Sequence, residues 1–194
     1  MNQPANSHVF AIESLTDAHG KVLKDIAFES IRAKITGLKY LPSVEDHRLR
    51  EKAGVFVTLR EFGELRGCIG YAHPYYELWE ATSKAAVHAA ISDPRFDTVR
   101  EEEVENLEIE ISVLGPLQRI EIHDPLDIGI LRIGAEGLVV EGLGRSGLLL
   151  PQVAIENAMD SMEFLSATCE KAGLSDNAWR FPGVSVYKFE AKIF

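Results

Sequence analysis

Cysteine is scarce in this chain: 194 residues hold two, Cys68 and Cys169. That is too few for a disulfide framework, and there is no Cys-x-x-Cys, so a reduced, cytoplasmic protein is the simplest reading. Six scattered histidines with no His-x-x-x-His give no zinc-type spacing, and no metal is expected. Basic residues are outnumbered, 20 Lys+Arg against 30 Asp+Glu, for a formal net charge of −10. A nucleic-acid groove rests on clustered Lys and Arg, so none is expected. No run of about 18 apolar residues is present, which excludes a membrane-spanning helix. The opening Met1-Asn2-Gln3-Pro4-Ala5-Asn6 has neither the basic nor the apolar region of a signal peptide. Repeats and low-complexity tracts are missing too. Gly142–Gly147 lacks the lysine of a phosphate-binding loop, and no cofactor is expected.

What remains is ordinary globular material, 46% hydrophobic and 26% charged, enough for a real core. Residues 1–14 read as a loose arm, with Val9–Ile12 tucked against a single domain over 15–194. Thr16 is a plausible N-cap for a helix burying Val22, Leu23, Ile26, Ala27, Ile31 and Ile35 and ending at Gly37. Gly54–Arg60 is rich in β-formers, and Glu61-Phe62-Gly63-Glu64 turns it back into Leu65–Tyr71. An Ala-rich helix over Glu77–Ser92 must stop before Pro94. Thr98 and Glu101 have capping-box spacing for a short acidic helix, and Leu107–Leu114 alternates as a strand. Ile128–Ile133 and Leu138–Glu141 flank Gly134–Gly137 as a hairpin candidate, and Gly142–Gly147 reads as a flexible loop. Pro151 opens a helix, Asp160 and Glu163 cap the next, and Val184–Phe194 alternates as a final strand. The class is α+β: a mainly antiparallel sheet flanked by helices.

Against this background Glu64-Leu65-Arg66-Gly67-Cys68-Ile69-Gly70-Tyr71 is unusual. A core strand would carry Val or Ile where Gly67 and Gly70 stand, and glycine lets backbone approach closely on either side of Cys68. Strict alternation puts Arg66 and Cys68 on one face, where the cation would favour a thiolate. The bland alternative is a small buried hydrophobe, and no general base is identifiable from the sequence. Asp93-Pro94-Arg95-Phe96 reads as a polar turn with a local ion pair, Glu110 as part of a polar strand face, and Gln152 as a residue near a helix start.

Leu65-Arg66-Gly67-Cys68-Ile69-Gly70 matches the signature of the AMMECR domain family. The resemblance extends through Asp93–Phe96, Glu110–Leu114, Gly147–Ala154, Glu163–Leu165, Cys169, Lys171–Leu174 and Trp179, with Met159 where an aromatic residue is expected. It implies two unequal lobes, the larger holding both termini, with the signature facing a cleft able to admit a large ligand. It also implies a pathway shared with Memo-like and radical SAM proteins. The resemblance supplies a site but no reaction. The leading expectation is therefore a cytoplasmic cleft domain binding a protein or other large ligand. Its wall would include Arg66, Gly67, Cys68, Gly70, Glu110 and Gln152, with Asp93 and Arg95 holding nearby backbone. The alternative is a thiol-dependent enzyme with Cys68 as nucleophile.

Overall fold

The computed structural model describes residues 10–124 and 127–194, and most of the expected N-terminal arm, residues 1–9, lies outside them. Within the arm's remainder Ile12 is buried and opens a short 3-10 turn, Ile12–Ser14. The architecture is α+β, an antiparallel sheet flanked by helices. Contacts divide the chain into two compact units: one ends at Ile111 and takes back Phe194, the other is Ser112–Ile193.

In the first unit α1 (Asp17–Thr36) starts after Thr16 and stops at Gly37, whose φ of 74° closes the helix as an αL cap. The Thr16 N–H donates to Nδ1 of His19 at 2.8 Å, so a histidine fills the capping role usually taken by Glu or Gln. The buried stripe is narrower than the periodicity predicts: Leu23, Ile26, Ala27, Ser30 and Ile31 are buried, whereas Val22 is 41% exposed. Position 22 lies about 100° around the helix from 23 and misses the core.

β1 (Gly54–Glu61) and β2 (Glu64–Tyr71) form an antiparallel hairpin. Its turn has positive φ at both Phe62 (51°) and Gly63 (82°), the geometry whose twist suits a two-residue hairpin. Val55, Val57 and Leu59 are fully buried on β1, and α2 (Leu78–Ile91) packs across both strands. Ala81, Ala85, Ala86 and Ala89 keep that helix slim where it meets the sheet. The acidic segment after it is a 3-10 helix, Glu101–Asn106, and its capping contact runs from the Arg100 N–H to Glu103, not between Thr98 and Glu101. β3 (Leu107–Leu114) follows and lies beside β1.

In the second unit β7 (Val184–Ile193) is central, pairing with β4 (Gln118–Ile120), β5 (Glu136–Gly142) and the end of β3. The hairpin expected around Gly134–Gly137 is displaced. Ile128–Ile130 is part of a 3-10 turn, and β5 instead pairs with β6 (Arg145–Leu149). The supposed flexible loop is thus a tight turn with Leu143 and Gly144 both at positive φ. α3 (Pro151–Glu156) begins at its proline. α4 (Ser161–Lys171) carries the full Asp160/Glu163 capping box and buries Phe164, Leu165 and Cys169 against Leu138, Val140 and Val186. Met159 packs at the edge of that cluster. Among the described residues no helix is long and apolar enough to cross a membrane.

Candidate functional site

The signature lies on β2, which pairs on one side with β1. Thr58 stands opposite Cys68 and Leu59 opposite Gly67, but Arg60 stands opposite Leu65. Arg66 is the extra residue of a β-bulge. The bulge breaks the strict alternation that would have put Arg66 and Cys68 on one face. Arg66 instead donates through Nε and Nη2 to the two oxygens of Glu103, at 2.9 and 3.2 Å, and through Nη1 to the Asp97 carbonyl at 2.8 Å. Both side chains are close to buried, 14% and 10% exposed. Hydrogen bonds from Arg66, aided by the Arg100 N–H, hold the Glu103 carboxyl down at about 2. Sequence reasoning missed Glu103. Its position in the run Glu101-Glu102-Glu103 did not single it out.

Each glycine answers to a specific neighbour. A Cβ on Gly67 would sit 2.2 Å from the carbonyl oxygen of Ala89, so its absence lets α2 lie directly on β2. A Cβ on Gly70 would sit 2.4 Å from the Phe56 ring and 2.3 Å from the Val55 carbonyl. The close approach is to protein packing in both cases.

The turn after α2 fastens Cys68 by its backbone. The Cys68 N–H donates to Oδ2 of Asp93 at 2.9 Å, and Arg95 Nη2 reaches the Cys68 carbonyl at 3.4 Å. Arg95 also donates through Nε and Nη2 to both Asp93 oxygens, at 2.9 and 2.7 Å. Two side chains thus satisfy groups of an edge strand that a neighbouring strand would otherwise take. Asp93 is 2% exposed and Arg95 44%, so the carboxylate sits behind and the guanidinium in front. The Arg95 hydrogen bonds, with the Cys68 and Arg95 N–H groups, hold the Asp93 carboxyl at about 2.

The Cys68 thiol is half-buried, and the Thr58 hydroxyl donates to it at 3.4 Å. Cys169 is fully buried on α4, and burial pushes its thiol up. Glu110 is half-buried on the face of β3 away from Ile109 and Ile111, with no hydrogen bond or ion pair among the described residues. Gln152, in the second unit, stands at the second position of α3 with its Oε1 buried and unpartnered among the described residues. The structure therefore brings Cys68, Asp93 and Arg95 into direct contact, while Arg66 turns to Glu103.

The AMMECR1 family profile matches residues 24–194. The chain belongs to the AMMECR1 family. It is 43% identical to a protein of Methanothermobacter thermautotrophicus over 183 residues, covering 93% of this chain and 95% of the relative. It is 43% identical to protein PH0010 of Pyrococcus horikoshii over 187 residues, covering 93% and 91%. The crystal structure of that PH0010 protein, titled as uncharacterized, superposes with a TM-score of 0.86 over 92% of each chain.

The second unit of this AMMECR1-family chain holds a further polar cluster, lining a cavity of about 320 Å3 among Gln118, Arg132, Glu136, Lys188, Phe189 and Glu190. Glu136 is nearly buried and accepts from Lys188 Nζ at 3.0 Å and Arg132 Nη2 at 3.1 Å, and Arg132 also pairs with Glu190. Burial opposes ionisation of Glu136, yet the Arg132 N–H at 2.8 Å, with the Lys188 and Arg132 side chains, holds its carboxyl below the usual range. The charges answer one another, so the cluster reads as a structural tie between β5 and β7.

Proposed function

We propose that this protein is a recognition module. Its β1–β2 hairpin presents the Cys68 surface to a protein or other large ligand, in a pathway with Memo-like and radical SAM proteins. One observation carries the reading: the groups around Cys68 hold its strand rather than act on its sulfur. Arg66 is tied to Glu103, Gly67 seats α2, Gly70 seats Phe56, and Asp93 with Arg95 clamps the Cys68 backbone. The sulfur's partner is the Thr58 hydroxyl, which donates and is no general base. The result is a rigid, half-exposed surface that binds without an ordering cost. The acidic balance favours a protein partner over nucleic acid.

The test is capture of the Memo-like and radical SAM proteins from the same source by the wild-type chain, and by Leu65→Glu and Glu110→Arg. Both substitutions change side chains at the hairpin and on β3 that hold no ion pair. Loss of capture at least tenfold at unchanged melting temperature is expected. Capture that survives both substitutions, or wild-type protein that captures neither partner, refutes the reading.

A second reading has its own support. The Thr58 hydroxyl donates to the sulfur and the Arg95 guanidinium reaches the Cys68 carbonyl, so a hydrogen-bond donor and a cation attend the residue a nucleophile would use. Cys68→Ser separates the two: a recognition surface keeps its partners, and a nucleophile loses its chemistry.

A further inference from the structure

The two arginines of the candidate site stand in opposite situations. Arg66 is nearly buried and occupied on Nε, Nη1 and Nη2. Arg95 is 44% exposed, and its hydrogen bonds use Nε and Nη2 only. Its Nη1 makes no hydrogen bond to any described residue. The carboxylate that balances it, Asp93, lies behind at 2% exposure, so the pair is a dipole with its positive end toward solvent. The Cys68 carbonyl is within reach of the same guanidinium, 3.4 Å from Nη2. A guanidinium bound along one edge by a carboxylate still offers its other nitrogen to a second oxyanion.

We propose that the exposed edge of Arg95, held against the Asp93 carboxylate and the Cys68 carbonyl, is an anion subsite. The ligand recognised at this surface then carries a carboxylate or phosphate group placed at Arg95 Nη1. This rests on reading the Cys68 surface as a recognition site and adds the chemical class of what it takes. Asp97, exposed and two residues further on, is the nearby carboxylate in sequence. It offers its carbonyl to Arg66 and makes no ion pair with Arg95.

The experiment uses Cys68 as the reporter and needs no partner protein. Intact protein is alkylated with iodoacetate, which is anionic, and with iodoacetamide, which is neutral and nearly the same size. Modification at Cys68 is followed by mass spectrometry, and Cys169 is too deeply buried to compete. Attraction of the anionic reagent by Arg95, held at the Cys68 carbonyl, is expected to raise the iodoacetate-to-iodoacetamide rate ratio about threefold to tenfold over that of a neutral cysteine amide. Raising the salt concentration lowers the ratio toward the reference, and this arm needs no substitution. Arg95→Gln is expected to abolish the excess, and Arg95→Lys to keep part of it. A wild-type ratio equal to the reference, insensitivity to salt, or an excess that survives Arg95→Gln overturns the proposal. So does failure of either reagent to reach Cys68, because a surface closed to a two-carbon acid admits no larger anion. Failure of partner capture with a raised ratio would refute the proposed partners while leaving the subsite intact.

Discussion

Arg66 and Glu103 form a bidentate pair, Nε to Oε1 at 2.9 Å and Nη2 to Oε2 at 3.2 Å, joining the bulge of β2 to the 3-10 helix before β3. Removing one partner of a nearly buried pair leaves the other charge uncompensated. Arg66→Ala is therefore expected to cost about 3–5 kcal/mol. The double change Arg66→Met with Glu103→Gln should recover most of that loss. Urea unfolding of the three proteins decides it, and a single-variant loss under about 1 kcal/mol would show that the pair is solvated and weak.

Gly67→Ala tests the contact between β2 and α2. The new methyl would lie 2.2 Å from a backbone oxygen that cannot rotate away, and the strand or helix must shift. A loss of about 2–3 kcal/mol is expected. Gly129→Ala is the control: its Cβ would meet nothing within 4 Å, and stability should change by less than about 0.5 kcal/mol.

The hairpin turns make a different prediction, since here space is open and conformation decides. Gly63 and Gly144 have φ of 82° and 74° with nothing within 4 Å of a built Cβ. Alanine at either is expected to cost about 1–2 kcal/mol, and Asn less, because Asn tolerates the left-handed region. Equal melting temperatures for Ala and Asn variants would contradict this.

Acid should loosen the candidate site first. Asp93 and Glu103 are held at about 2, below the unfolded values of 3.8 and 4.5, by hydrogen bonds from Arg95 and Arg66. The unfolded chain therefore binds these protons more readily. The stability each contributes, on the order of 2 kcal/mol, is present above about pH 5 and lost as pH falls toward 2. Urea unfolding at pH 7, 5 and 3 should show that decline. In Glu103→Gln the protein starts lower at pH 7 and its slope below pH 5 flattens. An unchanged slope in the variant would refute the assignment.

Much of the fold was legible in the residues because the signals were local. The Asp160/Glu163 capping box, the αL glycine at 37, Pro94 after α2 and the alternation of Leu107–Leu114 each act within a few positions. The displaced hairpin of the second unit shows the limit. Ile128–Ile133 has strand-like composition, yet Asp127 to Ile130 coil into a 3-10 turn, and pairing across distant strands chose β5 and β6 instead. Val22 illustrates the same limit on α1, where periodicity gives a stripe but not its width.

For the candidate site the division is sharper. The sequence by itself determined that a thiol between two glycines, with an arginine beside it, is unusual for a strand, and only the resemblance to a family joined the Asp-Pro-Arg turn to it. Only the tertiary structure decided what each one does. A single bulged residue turned Arg66 away to Glu103, a helix carbonyl claimed the space at Gly67, and the Asp93 carboxylate reached across 25 positions to the Cys68 N–H. Such contacts depend on register and on the distance between packed backbones, and neither quantity is written in any local run of residues. The arginine next to the cysteine in sequence is tied to Glu103, and the one 27 positions away is the more exposed of the two and reaches the Cys68 carbonyl.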